Sequence, residues 1–197
     1  MSRIPQVNLN DYLSGDASSK EKFIKDIGKG FSEIGFVAVK GHLLNDEVKE
    51  SLYKEVRQFF SLPDDIKSKY IIKGLASQRG FTPFGKEHAK GKNVGDLKEF
   101  WHFGQYVKNE PEMEDKYPEN VTVEELENFN KIGQKTYKLL EDTGRHILRS
   151  IACYLDLEET YFDKHIFNGN SILRAIHYPP ITAVSYTHLT LPTTCSV

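Results

Sequence analysis

Apolar residues recur along this chain with two periods, and the switches between them outline short strands alternating with helices. Ile4 to Leu9 predicts a short strand; Phe23, Ile27 and Phe31 then recur at helical spacing and predict a helix over about 18–34, which Ser18 or Ser19 can cap. Gly35 stops that helix, and Phe36 to Val39, bounded by Gly35 and Gly41, predicts a second strand, so the chain opens β-α-β. A second helix runs to about Phe60 behind Asn45 or Asp46 as cap. Pro63 opens a third over Asp64 to Tyr70, where a missing N–H costs nothing.

The middle of the chain loses this periodicity. Glycines at 74, 80, 85, 91 and 95 predict loops around short strands, a setting that often carries function. Leu97 to Phe103 then alternates, with Leu97, Glu99, Trp101 and Phe103 on one side and Lys98, Phe100 and His102 on the other, as a strand does. Leu126, Phe129, Ile132, Thr136, Leu140, Ile147, Ile151 and Tyr154 form a helical stripe, predicting a long helix from about Val123 to Leu155 with a bend near Gly144. A short helix over Glu158 to His165, a turn at Asn168-Gly169-Asn170 and a strand over Ser171 to Tyr178, stopped by Pro179-Pro180, complete the series. Strands and helices in this arrangement predict an α+β fold.

Composition narrows the function classes. The 197 residues, 39% hydrophobic and 12% aromatic, suffice for one ordinary core. With 26 Lys+Arg against 28 Asp+Glu, the net charge of -2 offers no basic field for nucleic acid or an anionic membrane, so small molecules are the expected partners. Neither a signal peptide nor a membrane span is expected, and two cysteines, Cys153 and Cys195, cannot build a disulfide framework. A cytoplasmic setting is the expectation.

The end of the chain reads differently. Val184 to Thr194, VSYTHLTLPTT, resembles the translation of a transposase-type sequencing adapter, although Tyr, Thr, Leu and Val would also suit a strand. Residues 184–197 are therefore expected to be non-native, without fixed packing, and His188 and Cys195 to carry no chemistry.

Three ordered stretches, Ile4-Pro5-Gln6-Val7-Asn8-Leu9, Ile34-Gly35-Phe36-Val37-Ala38-Val39-Lys40-Gly41-His42 and Asn170 through Pro180, resemble the N-terminal region of the isopenicillin N synthase-like Fe(II)/2-oxoglutarate-dependent dioxygenases. Gln78-Arg79-Gly80-Phe81, Gly85-Lys86-Glu87 and Asp96 to Trp101 look like that family's substrate-side segment, and the resemblance covers about residues 4–182. It implies a jelly-roll core whose iron sits on a His-x-Asp and a distant His, with open positions for 2-oxoglutarate and O2. None of the seven histidines is followed two positions later by Asp or Glu, and no Arg-x-Ser is present to hold the far carboxylate of the cosubstrate. Only 19 residues follow Tyr178, whereas a jelly roll needs about eight strands of roughly 5 to 6 residues.

The resulting expectation is a dioxygenase N-terminal domain over 1–170, the opening strand of a mostly missing barrel over 171–183, and the adapter-like tail. No catalytic residue and no metal ligand is assigned, and this chain alone is expected to bind neither iron nor 2-oxoglutarate and to be inactive. Two residues are carried over as substrate or cosubstrate contacts of the intact enzyme. Arg79 matches a position where a guanidinium can hold a substrate carboxylate, against the alternative of an ordinary surface arginine. Tyr178 matches a tyrosine whose hydroxyl reaches the pocket, against the alternative of a buried strand tyrosine.

Other polar residues draw plainer readings. Asp163-Lys164-His165 is reversed relative to the metal motif and helical, and Glu99 and His102 should face oppositely on a strand, as surface or substrate-facing groups. Trp101 and Phe103 are expected in the core, Cys153 as a small buried residue, and His177 has no assigned role. Two rivals stand beside the 2-oxoglutarate enzyme: a catalytically silent α/β interaction module, and an oxidase using iron and O2 without a 2-oxo acid. With Ile172, Leu173, Ile176 and Tyr178 facing an interior whose partner strands are gone, the fragment is expected to self-associate.

Overall fold

The computed structural model describes residues 4–75, 77–87, 95–106 and 117–180. Residues 181–183 and the adapter-like segment 184–197, with His188 and Cys195, lie outside them. The fold is α+β. Strand β1 (Gln6–Asn8) runs into α1 (Leu9–Leu13) and α2 (Ala17–Lys29), and β2 (Ala38–Lys40) returns parallel to β1, pairing Val7 with Val39. Asp16, rather than Ser18 or Ser19, caps α2, its carboxylate accepting the Ser19 N–H at 2.7 Å. The helix does not continue regularly to Ile34: Gly30–Ile34 is a π-helical turn, closed by Gly35 at φ 82°. Val7, Leu9, Tyr12, Phe23 and Ile27 form a small core under this unit, with Ile147 packed against it.

Helix α3 (Asp46–Phe60) is capped by Asn45, which accepts the Val48 N–H at 2.9 Å, and α4 (Asp64–Ser68) follows Pro63. The long helix α5 (Glu127–Tyr154) runs its 28 residues unbroken through Gly144. Gly133 and Gly28 let neighbours approach closely: a Cβ would stand 2.2 Å from the Phe103 ring in one case and 2.2 Å from the Tyr154 ring in the other. The expected helix over Glu158 to His165 contracts to α6 (Asp163–Ile166), where Asp163 pairs with Arg149 at 2.5 Å.

A second sheet, antiparallel and ordered β3 (Gly80–Thr82), β4 (Glu99–Gly104), β5 (Ile172–His177), leans on α3 and α5. Residues directly opposite on antiparallel strands share a face. The register therefore places Phe81, Trp101, Phe103, Leu173 and Ala175 on one face, where Phe59, Phe60, Tyr70 and Phe129 complete an aromatic core. Rings at 4.8 Å between Phe59 and Trp101 and 5.0 Å between Phe59 and Phe129 pack edge-on and stacked. Leu173 thus packs, partly buried, against this core and is not one of the barrel-facing group expected from sequence: one step along a strand turns a side chain to the other face. Thr82, Phe100, His102, Arg174, Ile176 and, by continuation, Tyr178 occupy the opposite face.

Candidate functional site

On that opposite face the sheet carries its unusual polar chemistry. His102 is 4% exposed, with Nδ1 2.6 Å from the Ser77 carbonyl oxygen. Only an N–H can satisfy a carbonyl, so Nδ1 is the protonated nitrogen and Nε2 is left with a lone pair. Arg174, directly opposite in the register, donates its Nε–H to that lone pair at 2.5 Å. Both ring nitrogens are engaged with the imidazole neutral. Burial pushes the His102 pKa down to about 4; the Arg174 charge adds to this, while the hydrogen bond to Ser77 opposes it.

Phe100 lies beneath the pair, the Arg174 guanidinium 4.3 Å from its ring centroid and the His102 ring 4.7 Å away. Glu87 reaches Arg174 Nη2 at only 3.4 Å and is held more closely by Lys98, at 3.0 Å. Ile176 and Tyr178, exposed at 43% and 65%, continue the face, and Phe84, half-exposed in the loop after β3, stands 6.3 Å from the His177 ring.

A separate network lies at the covered edge. Glu99, 1% exposed, pairs with the Lys67 ammonium at 2.9 Å and with His177 Nδ1 at 2.8 Å, and His177 stacks on Phe60 at 5.2 Å. Burial pulls the Lys67 ammonium down, but hydrogen bonds to Glu99 and Asp64 outweigh it and the net shift is upward. Glu99 and His102 face oppositely, as alternation requires, but neither is a surface group. His177, without a role in sequence, is a partner of this buried ion pair.

Arg79 is not a surface arginine: it is 1% exposed, and its guanidinium carbon occupies the space where a Cβ on Gly104 would stand, 1.7 Å away. Nη1 donates to the Gln78 carbonyl at 2.8 Å, whereas Nε and Nη2 have no partner among the described residues. Burial lowers its pKa. Tyr178 is not a buried strand tyrosine. Continuing the registers sets Arg79 opposite Phe103 and Tyr178 opposite Lys98, at the two ends of β4, so the fold does not bring the pair together. Arg174, His102 and Glu87 are the grouping that sequence reasoning passed over. The signal was the spacing of Arg174, Ile176 and Tyr178 by twos, with His102 in an alternating segment to pair against them.

Two clefts lie elsewhere on the molecule. One lies between β1 and α2, lined by Asn8, Asp11, Lys22 and Asp26; the other lies along α5, lined by Gln105, Tyr137, Glu141 and Phe167. Among the described residues no group of three or more His, Cys, Asp or Glu is placed to hold a metal, and no helix is long and apolar enough to cross a membrane.

The family described as non-haem dioxygenase in morphine synthesis N-terminal matches residues 4–125. The chain belongs to that family. Among curated relatives of this dioxygenase N-terminal region, a 2-oxoglutarate-dependent dioxygenase from Aspergillus rugulosus is 27% identical over 90% of the chain and 56% of its own length. A 1-aminocyclopropane-1-carboxylate oxidase from Dictyostelium discoideum is 27% identical over 90% of the chain and 49% of its own length. The chain thus spans about half the length of these relatives. Among solved structures, a 2OG-Fe(II) oxygenase family protein from Caulobacter crescentus superposes with a TM-score of 0.80 at 33% identity, covering 93% of this chain and 59% of that one. A full-length Neurospora crassa protein solved in complex with alpha-KG shares the fold, with a TM-score of 0.74 at 22% identity over 93% of this chain and 54% of that one.

Proposed function

We propose that this region belongs to an oxygenase that oxidises a small organic substrate with O2 while decarboxylating 2-oxoglutarate at ferrous iron, and that the open face of the β3–β4–β5 sheet is one wall of its pocket. The observation that carries the reading is the superposition on a 2OG-Fe(II) oxygenase family protein along nearly the whole chain but 59% of that protein. The described residues do not fit a resident iron: they hold no three-ligand cluster, and both nitrogens of the buried His102 are taken. Iron and 2-oxoglutarate are assigned to the part of the relatives' length that this chain does not span, and the chain by itself is proposed to be inactive. Tyr178, exposed on the open face, and Arg79, buried away from that wall beside Gly104 with two N–H groups unpaired among the described residues, are proposed as substrate or cosubstrate contacts of the longer enzyme.

The test compares this chain with the same chain continued along its source reading frame, each supplied with Fe(II), ascorbate, 2-oxoglutarate and O2. The continued protein should bind Fe(II) stoichiometrically and form succinate, and the 197-residue chain should do neither. Succinate from the shorter chain overturns the division of labour. O2 consumption without succinate from the longer protein points to an oxidase, and a longer protein that binds no iron leaves the interaction module.

A further inference from the structure

The covered edge of the sheet holds a group that folding alone does not call for. Glu99 is 1% exposed and divides its two oxygens: Oε2 accepts from the Lys67 ammonium at 2.9 Å, and Oε1 lies 2.8 Å from His177 Nδ1. Lys67 is itself buried and also meets Asp64 at 3.0 Å. A buried ion pair is often no more stabilising than apolar residues of the same volume, so stability does not account for this one. Its effect is to present a fixed acceptor to His177. A carboxylate facing an ammonium only accepts, so Nδ1 carries the imidazole proton, while the ring stacks on Phe60 at 5.2 Å with 25° between the planes. One hydrogen bond and one stack together fix the place and the rotation of the ring.

His177 is the last residue of β5, and Glu99, directly opposite, is the first of β4. The anchor therefore acts where a strand end would otherwise fray. The next residue, Tyr178, turns to the open face. It is 65% exposed, with no hydrogen bond or ring pairing among the described residues, so its backbone decides where it stands. Pro179 and Pro180 follow, and neither has an N–H with which to extend the ladder.

We infer that His177 is a positioning residue: anchored to Glu99 and Lys67 behind the sheet, it holds the end of β5 so that Tyr178 keeps one place on the open face. This deepens the oxygenase reading and rests on it only for what Tyr178 touches. The influence passes through the backbone from the covered side to the open side, and His177 needs no contact with a ligand.

Two variants divide the anchor. His177→Phe keeps a ring on Phe60 and loses the bond to Glu99; His177→Asn keeps an N–H donor near the place of Nδ1 and loses the ring. In the 197-residue chain, backbone NMR order parameters at residues 176–178 should fall from about 0.85 to below about 0.6 in His177→Phe, with those of Trp101 and Phe103 unchanged. His177→Asn should restore part of the order. In the chain continued along its source reading frame, His177→Phe should raise the KM for 2-oxoglutarate or for the substrate about tenfold, the equivalent of one hydrogen bond to a charged group, with kcat changed less. Tyr178→Ala should do the same, and the double variant should be no worse than either, because both act through one side chain. Unchanged order at 176–178 overturns the inference. So does an equal loss of order across β4, which would make His177 a part of the core only, or a double variant whose effects multiply. The order parameters are read on the chain in hand, so they decide the inference even where the continued protein forms no succinate, a result that counts against the oxygenase reading alone.

Discussion

The two faces of the β3–β4–β5 sheet use the same strands and differ by one residue step, yet they are built on opposite principles. The covered face presents Phe81, Trp101, Phe103, Leu173 and Ala175 to α3 and α5, and its buried aromatic rings interlock around Phe59. The open face presents a neutral histidine, a partly exposed arginine on an aromatic ring, and exposed Ile176 and Tyr178. Burial on one side supplies the free energy that lets the other keep groups costly for folding. The lesson is that specificity of fold and availability for ligands are divided between faces rather than between segments.

The comparison can be broken most sharply from the covered side. Phe59→Ala removes the ring at the centre of the aromatic cluster and should cost about 3 to 5 kcal/mol in denaturant unfolding, enough to unfold a marginal chain. A loss below about 1 kcal/mol would mean the cluster does not organise the sheet.

Next in size is the ion pair beneath the edge of that face. Lys67→Met leaves the buried Glu99 carboxylate with His177 alone and should cost about 3 kcal/mol, whereas Lys67→Met with Glu99→Gln should recover most of it. Equal losses in the single and double variants would show that the charges do not act as a pair.

On the open face, His102 ties stability to pH. Its folded pKa of about 4 lies below the ordinary 6.5, so between those values the unfolded chain binds a proton that the folded chain refuses. Its contribution is complete above pH 6.5 and is lost as pH falls toward 4, reaching about 3 kcal/mol at most. The slope of stability against pH across this window should flatten in His102→Gln, and an unchanged slope would assign the acid sensitivity elsewhere. The smallest effect belongs to Ile176→Ser, which should cost under about 1 kcal/mol while lowering hydrophobic-dye binding and self-association. A loss of several kcal/mol would reveal that this face is covered.

Much of this was legible in the chain itself, because helical and strand periods mark where apolar faces lie: an α3 cap at Asn45 or Asp46, of which Asn45 is the one used, the long α5 stripe and the strand alternation through Trp101 all follow from local pattern. The π-helical turn at Gly30–Ile34 was not, since it reflects close packing around a glycine rather than propensity: a Cβ on Gly30 would meet Val37 at 2.4 Å. The site was legible in pieces only. Sequence spacing puts Arg174 on the face of Tyr178, but its pairing with His102 spans 72 positions and depends on the β4–β5 register. Glu99 looked like a polar strand residue because its neutralising partner Lys67 comes from a helix 32 positions away.

Helix α5 has a consequence for how the molecule comes apart. At 28 residues it is about 42 Å long, and it contributes Phe129 to the aromatic core near one end and Ile147 to the β-α-β unit's core toward the other. A single rigid rod shared by two cores ties their fates together, since neither can melt without stripping one flank of the same helix. The two cores should therefore open together, with the amide hydrogens in the middle of α5 exchanging with solvent only when both have come apart.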